Sequence, residues 1–331
     1  MPDMPAFPML RAAELLRAGE LVAFPTETVY GLGADASNPE AVAKIFAAKG
    51  RPADHPLIVH LPDPGHLDAW AREIPDAARQ LAATFWPGPL TLILKRQPEV
   101  PDAVTGGQDT VGLRVPGHQL ALALLANFGG GIAAPSANKF GRISPTTAEH
   151  VHDELGDAVF VLDGGPCPVG IESTILDLSG DEPAILRPGS ITPEAIGQVL
   201  GRPVAIATRA SAPRVSGSLD AHYAPHTPVD LVSSDGLIFA VREALARQMP
   251  IAVLSSQAQP LSHKLLTWHQ APALPAPFAQ ELYATLRSLD SLGVARIVIQ
   301  QPPAGAAWAA VNDRLRRAAA GAGAEGEAQQ P

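Results

Sequence analysis

The chain has 331 residues, 46% hydrophobic and only 17% charged, against a usual charged share of about 25%, so apolar material suffices for one or two buried cores. A formal net charge of −9 argues against a general electrostatic hold on nucleic acid, and a single cysteine, Cys167, excludes an intrachain disulfide and a Cys-based metal cage. Arg11, Glu14, Arg17 and Glu20 give the first residues a helical charge spacing, and no run approaches the roughly 18 apolar residues of a spanning helix, so a cytoplasmic protein without membrane contact is expected.

In chain order, residues 9–18 read as an amphipathic helix ended by Gly19, and 21–24 as a short buried strand stopped by Pro25. A helix is predicted over 38–49, ending at Gly50. Strands are predicted at 57–61, 90–94, 111–115, 131–134, 159–162, 173–178 and 184–186, with a helix over 119–126. The irregular alternation of strand and helix points to an α/β domain with a mixed, twisted sheet.

Residues 205–227 are rich in Ala, Ser, Thr, Pro and Gly without apolar periodicity, which reads as a linker. Strands at 229–233, 251–255 and 295–300, separated by helices near 237–248 and 278–291, then give the rhythm of a small parallel three-layer domain. The expected division is therefore a first domain over 1–204, a linker over 205–227, a second domain over 228–317 and a frayed tail over 318–331.

Five segments place polar residues where a plain core strand would not. In Phe24-Pro25-Thr26-Glu27-Thr28-Val29-Tyr30-Gly31-Leu32-Gly33, two threonines and a tyrosine follow a strand, and the glycines could let backbone approach a ligand. Taken alone, an ordinary turn with satisfied hydroxyls is the plainer reading of the stretch. Lys49-Gly50-Arg51-Pro52 at a helix exit could complement the helix C-terminus or form an anion pocket. His60 lies inside the apolar run after Pro56, where a core role is the plainer reading.

Arg114 alternates with Val111, Leu113 and Val115, so one face of that strand carries a charge. A buried guanidinium needs a carboxylate or phosphate partner, either an internal acid or a ligand. Ala134-Pro135-Ser136-Ala137-Asn138 and Gly170-Ile171-Glu172-Ser173-Thr174 add hydroxyls and an amide at strand ends, with Arg142, Ser144 and Arg187 nearby. No nucleophilic triad, phosphate-binding glycine loop or metal-spaced histidine set accompanies them, and Cys167 between two prolines has no base beside it. The residues alone suggest an anionic ligand held in place, with no covalent intermediate.

Taken together and in this order, FPTETVYGLG, KGRP with PLIVH, FWPGPLTLIL, TVGLRVP, APSAN, and ESTI with LRPG closely resemble the threonylcarbamoyl-AMP synthase, or YrdC-like, family. The resemblance covers roughly residues 10–200, and the His222-Tyr223-Ala224-Pro225-His226-Thr227 stretch, together with the small domain after it, looks like the family's long form. It implies a YrdC-like twisted mixed sheet plus a small C-terminal Rossmann-like domain. It also implies condensation of L-threonine, bicarbonate and ATP into threonylcarbamoyl-AMP, with pyrophosphate released. A transferase complex would then move the threonylcarbamoyl group to tRNA, next to the anticodon, and a weak direct contact with tRNA is left open.

By the resemblance, threonine falls on Thr28, His60, Arg114, the Ala134 backbone and Ser173. ATP falls on Lys49, Arg51, His55, Thr110, Ser136, Asn138, Ser144, Arg187 and, from the linker, Tyr223. His55 departs from the asparagine common in the family, though a histidine can still donate to phosphate or ribose. Mg²⁺ is expected to bridge the ATP phosphates without protein ligands, and no organic cofactor is expected. Replacing Arg114 with alanine is expected to abolish threonine binding in a folded protein, and the Tyr223 linker to close over the nucleotide. A non-catalytic RNA-binding module on the same fold is the alternative. A carbamoyl-transfer domain of hydrogenase maturation would bring zinc-binding cysteines that this chain lacks.

Overall fold

The computed structural model describes residues 6–207, 213–217 and 219–323, which fall into two units, Met1–Phe140 with Ser144–Ser218, and Gly141–Ile143 with Leu219–Pro331. The first unit begins with α1 (Ala6–Arg17), β1 (Val22–Phe24), β2 (Gly31–Asp35), α2 (Pro39–Lys49), β3 (Ile58–His60) and α3 (Leu67–Trp70). It continues through α4 (Asp76–Phe85), β4 (Leu90–Lys95), α5 (Asp102–Thr105), β5 (Thr110–Arg114), α6 (Gln119–Phe128) and β6 (Ile132–Ala133). It closes with α7 (Ala148–Leu155), β7 (Phe160–Val161), β8 (Thr174–Asp177), β9 (Ala184–Arg187), α8 (Pro193–Leu200) and β10 (Ala205–Ile206).

Local chemistry sets these boundaries. Asn38 caps α2 by accepting from the Glu40 and Ala41 amides, Pro39 opens the first turn, and Gly50 ends it at φ 63°. The ten strands form one mixed sheet in the order β10-β9-β8-β4-β5-β3-β6-β2-β1-β7. β3 runs parallel to β5, and β4 antiparallel to β5 and parallel to β8.

Strand periodicity then divides the two faces. Val59, Leu92, Leu94, Val111, Leu113 and Leu176 enter the main core with Val42 and Ile45 of α2 and Leu81 of α4. The residues between them, Ile58 and His60, Thr91 and Ile93, Thr110, Gly112 and Arg114, point to the opposite face. Part of that face is closed by Val215, 4% exposed, which packs on Ile93 and Ile175. The expected linker is thus more structured than its composition suggests: β10 pairs with β9, and Val215 supplies an apolar anchor. Residues 208–212 and 218 of that stretch lie outside the described residues.

Gly31 and Gly33 sit inside β2 rather than in a loop after the strand. A Cβ at Gly33 would stand 2.8 Å from the Phe24 ring and 2.9 Å from the Ile132 side chain. The glycine exists to let the Phe24 ring lie on the sheet. Gly33→Ala is therefore expected to cost about 1–3 kcal/mol as overpacking. An unchanged midpoint in urea unfolding would contradict this.

The second unit contains β11 (Val229–Val232), α9 (Leu237–Ala246), β12 (Ile251–Ser255), β13 (Leu266–Gln270), α10 (Pro275–Asp290), β14 (Arg296–Gln300) and α11 (Ala309–Gly321). Its four strands are all parallel, in the order β11-β14-β12-β13, and Leu237 and Val241 of α9 pack with Ile251, Val253 and Val298. Sequence periodicity missed β13, because this edge strand buries only Leu266 and shows no apolar run. It also missed α11, which carries on through residue 318, where a frayed tail was expected; Ala318 is fully buried. Residues 324–331 lie outside the described residues. The fold is α/β, a mixed twisted sheet with helices followed by a small parallel α/β unit. Among the described residues, no helix is long and apolar enough to cross a membrane.

Candidate functional site

The charge on β5 has an internal partner. Arg114 Nη2 lies 2.6 Å from Glu27 Oε1, and the two side chains are 4% and 8% exposed. Its Nη1 donates to Thr28 Oγ1 at 3.0 Å and its Nε to the Gly88 carbonyl at 3.2 Å. Thr28 Oγ1 is in turn 2.8 Å from Thr26 Oγ1. The Thr26–Thr28 loop therefore fixes the guanidinium in one plane. Nη1 and Nη2 each retain a second N–H for an incoming carboxylate.

His60 is the direct cross-strand neighbour of Arg114 in the parallel β3–β5 pair. It is 3% exposed, meets the Phe24 ring edge-on at 5.9 Å, and its Nδ1 has no hydrogen-bond partner within the described residues. Burial, reinforced by the Arg114 charge, pushes its pKa down to about 3. The imidazole is thus neutral and can bond a hydroxyl without adding charge.

Acid stability depends on this neutral imidazole. The unfolded chain takes up the His60 proton below its ordinary pKa of 6.5, whereas the folded chain refuses it until about 3. The contribution to stability is complete above 6.5 and is lost as pH falls through that window. His60→Gln, uncharged throughout, is expected to lose less stability than the parent between about pH 7 and about pH 5. Equal losses in urea titrations at those two values would refute the neutral, buried assignment.

Ser173 immediately precedes β8, its Oγ 2.8 Å from Thr91 Oγ1 of β4. Arg187 donates through Nε and Nη2 to the Ser173 carbonyl, through Nη2 to Ser173 Oγ at 3.1 Å, and through Nη1 to the Ser216 carbonyl. The Ala134 N–H donates to the Ile58 carbonyl at 2.9 Å.

Lys49 is buried, and its Nζ donates to the Ser136 carbonyl at 2.6 Å and the Asn138 carbonyl at 2.5 Å. Burial and the nearby Arg51 charge hold its pKa well below the usual lysine range. Its first task is thus to moor the 136–138 loop. Arg51 donates to the Pro56 carbonyl at 3.0 Å, and half-buried His55 meets Phe140 edge-on at 5.4 Å. Burial and the Arg51 charge lower the His55 pKa as well. Ser144, fully buried, donates to Glu172 Oε1 at 2.6 Å, while Thr110 lines the sheet face beside Val215.

Tyr223 belongs to the second unit, where it stacks on Tyr283 at 5.6 Å, lies 5.3 Å from the Arg314 guanidinium and is 1% exposed. Its φ of 62° is unusual for a bulky side chain. The ring also meets His222 edge-on at 4.1 Å. Cys167 is buried and its thiol is pushed up to about 12 by burial, which fits a packing role.

Sequence reasoning missed Glu27, Thr91 and Glu172 as members of this polar set. Glu27 was visible between the two threonines as the internal acid that Arg114 required. Thr91 carries no signal beyond its alternation with Leu90 and Leu92, and Glu172 none beyond its place beside Ser173.

With this geometry in hand, the similarity to known proteins is consistent over nearly the whole chain. The Sua5/YciO/YrdC family model, described as telomere recombination, matches residues 14–189, and the model for the threonylcarbamoyl-AMP synthase C-terminal domain matches 191–320. Threonylcarbamoyl-AMP synthase of Bacillus subtilis is 42% identical over 94% of this chain and 92% of its own length. That of Pyrococcus abyssi is 39% identical over 93% and 92%. The crystal structure of Pyrococcus abyssi Sua5 complexed with L-threonine superimposes with a TM-score of 0.86 at 38% identity, covering 95% of this chain and 94% of that one. The chain belongs to the threonylcarbamoyl-AMP synthase family, in its two-domain form.

Proposed function

We propose that this chain is a nucleotidyltransferase that condenses L-threonine, bicarbonate and ATP, entering as its Mg²⁺ complex, into threonylcarbamoyl-AMP and pyrophosphate in the cytoplasm. The observation that carries this reading is the pairing of a fixed guanidinium, Arg114, with a neutral imidazole, His60, on one sheet face. A carboxylate needs the first and a hydroxyl the second, and threonine offers both. Ser173 and the Ala134 carbonyl complete its surroundings. The relative from Pyrococcus abyssi solved with L-threonine supports the same substrate.

The threonine amine and bicarbonate form a carbamate with loss of water, and a carbamate oxygen then attacks the α-phosphorus as pyrophosphate leaves. Arg51, Arg187 and Lys49 offset the negative charge that develops. Thr110, Ser136, Asn138 and Ser144 hold the nucleotide, with His55 at its rim. Mg²⁺ would enter on the ATP phosphates and keep its remaining waters, with no protein side chain assigned to it. The product is a water-sensitive mixed anhydride. The segment around Val215, packed on the sheet face beside Thr110, is suited to exclude water from it. The product would pass to a threonylcarbamoyl transferase complex acting on tRNA.

Incubation with Mg-ATP, threonine and labelled bicarbonate tests the proposal. It should yield labelled threonylcarbamoyl-AMP, with pyrophosphate release dependent on both co-substrates. Release that ignores threonine would overturn it. Valine, which lacks the hydroxyl, would leave the His60 ring unpaired, whereas serine lacks only a methyl group. Discrimination should therefore be larger against valine than against serine, where a lost methyl is worth about 1–3 kcal/mol. Equal turnover of valine and threonine would remove His60 from the site.

A further inference from the structure

The second unit holds a crevice of about 490 Å³ that the reaction above does not use, with Ser233, Ser234, Ser256, Phe278, Gln300 and Trp308 in its lining. Ser233 and Ser234 follow β11, Ser256 follows β12 and Gln300 ends β14, so the crevice lies at the carboxyl ends of parallel strands. Connections diverge at this edge: β11 passes β14 to reach β12 through α9, and β13 returns past β12 to β14 through α10. Open parallel sheets take their ligands at such a point.

The polar side of the crevice is held in place by one amide. Gln300 Oε1 accepts from Ser255 Oγ at 2.6 Å and from Ser256 Oγ at 3.3 Å, while its Nε2 donates to Ser234 Oγ at 2.9 Å. Ser234, an acceptor there, keeps its hydroxyl proton to give, and Ser256, a donor there, keeps its lone pairs. Ser233 Oγ accepts from the Gly236 amide at 3.1 Å and likewise keeps a proton. Opposite chemistry comes from Phe278 and Trp308, packed edge-to-face at 5.5 Å.

No Lys, Arg, His, Asp or Glu is among the lining residues, and Asp235 follows Ser234 in the chain. A free amino acid would bring two charges without partners, and a nucleotide would bring phosphates with no cation to meet them. A flat ring with donor and acceptor edges has partners on both sides. We infer that this crevice is a second small-molecule site, and that it takes an uncharged nucleoside, the base against Trp308 and the polar edge on Ser233, Ser234 and Ser256.

The test uses the full chain and amide NMR, because the location of binding matters: adenosine could also enter the proposed ATP site. Adenosine, guanosine, cytidine and uridine are titrated separately, with methyl glucoside as a non-aromatic control. At least one nucleoside should shift the amides of 233–236, 256–257, 300–301 and 304. Since stacking on an aromatic is worth about 1–3 kcal/mol per base, Trp308→Ala should weaken that response roughly tenfold. Ser234→Ala, an exposed change that leaves the unit folded, should weaken it as well. Shifts confined to the first unit, a response to methyl glucoside alone, no response at all, or unaltered affinity in both variants would overturn the inference.

Discussion

Arg114→Ala is expected to lose threonine binding and to destabilise the folded chain by about 3–5 kcal/mol, the usual cost of leaving one member of a buried ion pair alone. Reasoning from sequence anticipated only the first effect. The second follows from Glu27, 2.6 Å from the guanidinium and likewise buried, which would be left without its counter-ion. The two roles can be separated. Glu27→Gln with Arg114→Gln removes both charges, so much of the lost stability should return while threonine binding stays absent. A double-mutant cycle in urea measures the coupling, and calorimetry measures the binding. If Arg114→Ala melts like the parent, the pair is not mutual. If the double variant still binds threonine, the carboxylate does not lie on Arg114.

What could be read in advance depended on how local each signal was. The helix at 38–49 was legible because its cap, its proline and its terminal glycine lie within the helix or next to it. The odd charge on β5 was legible because alternation along a strand is a one-dimensional pattern. That His60 stands beside Arg114 was not, since the register of β3 against β5 is a long-range fact that neither strand encodes alone. What crowds glycines 31 and 33 was hidden for a similar reason. Their partner is the Phe24 ring on the neighbouring strand, and a sequence shows only that the backbone is free to bend. The edge strand β13 and the helix α11 went unseen for a different cause: β13 has too few buried residues, and α11 has an Ala- and Arg-rich composition. Its buried Asp313 is paired with Arg314 and Arg317, contacts that no hydrophobic count detects.

Lys49 illustrates how an expected ligand contact can conceal a structural one. As a basic residue at a helix exit it reads as a phosphate-binding charge, yet its amine is occupied by the carbonyls of Ser136 and Asn138. Lys49→Met keeps most of the volume and deletes both donors. Two buried carbonyls then lose their partner, at about 1–3 kcal/mol each if water does not replace it. The loop carrying Ser136 and Asn138 should loosen, so the affinity for Mg-ATP should fall further than the loss of one exposed charge would explain. The pH dependence gives an independent check. Because the folded pKa is depressed below 10.5, the unfolded chain binds the extra proton between the two values, and stability from this group rises with pH across that window. The parent should therefore gain stability relative to Lys49→Met as pH is raised from neutral toward the ordinary lysine range. A constant difference between the two proteins over that range would mean that Lys49 stays charged in the fold. Its short contacts to the two carbonyls would then be those of an ammonium group already prepared for phosphate.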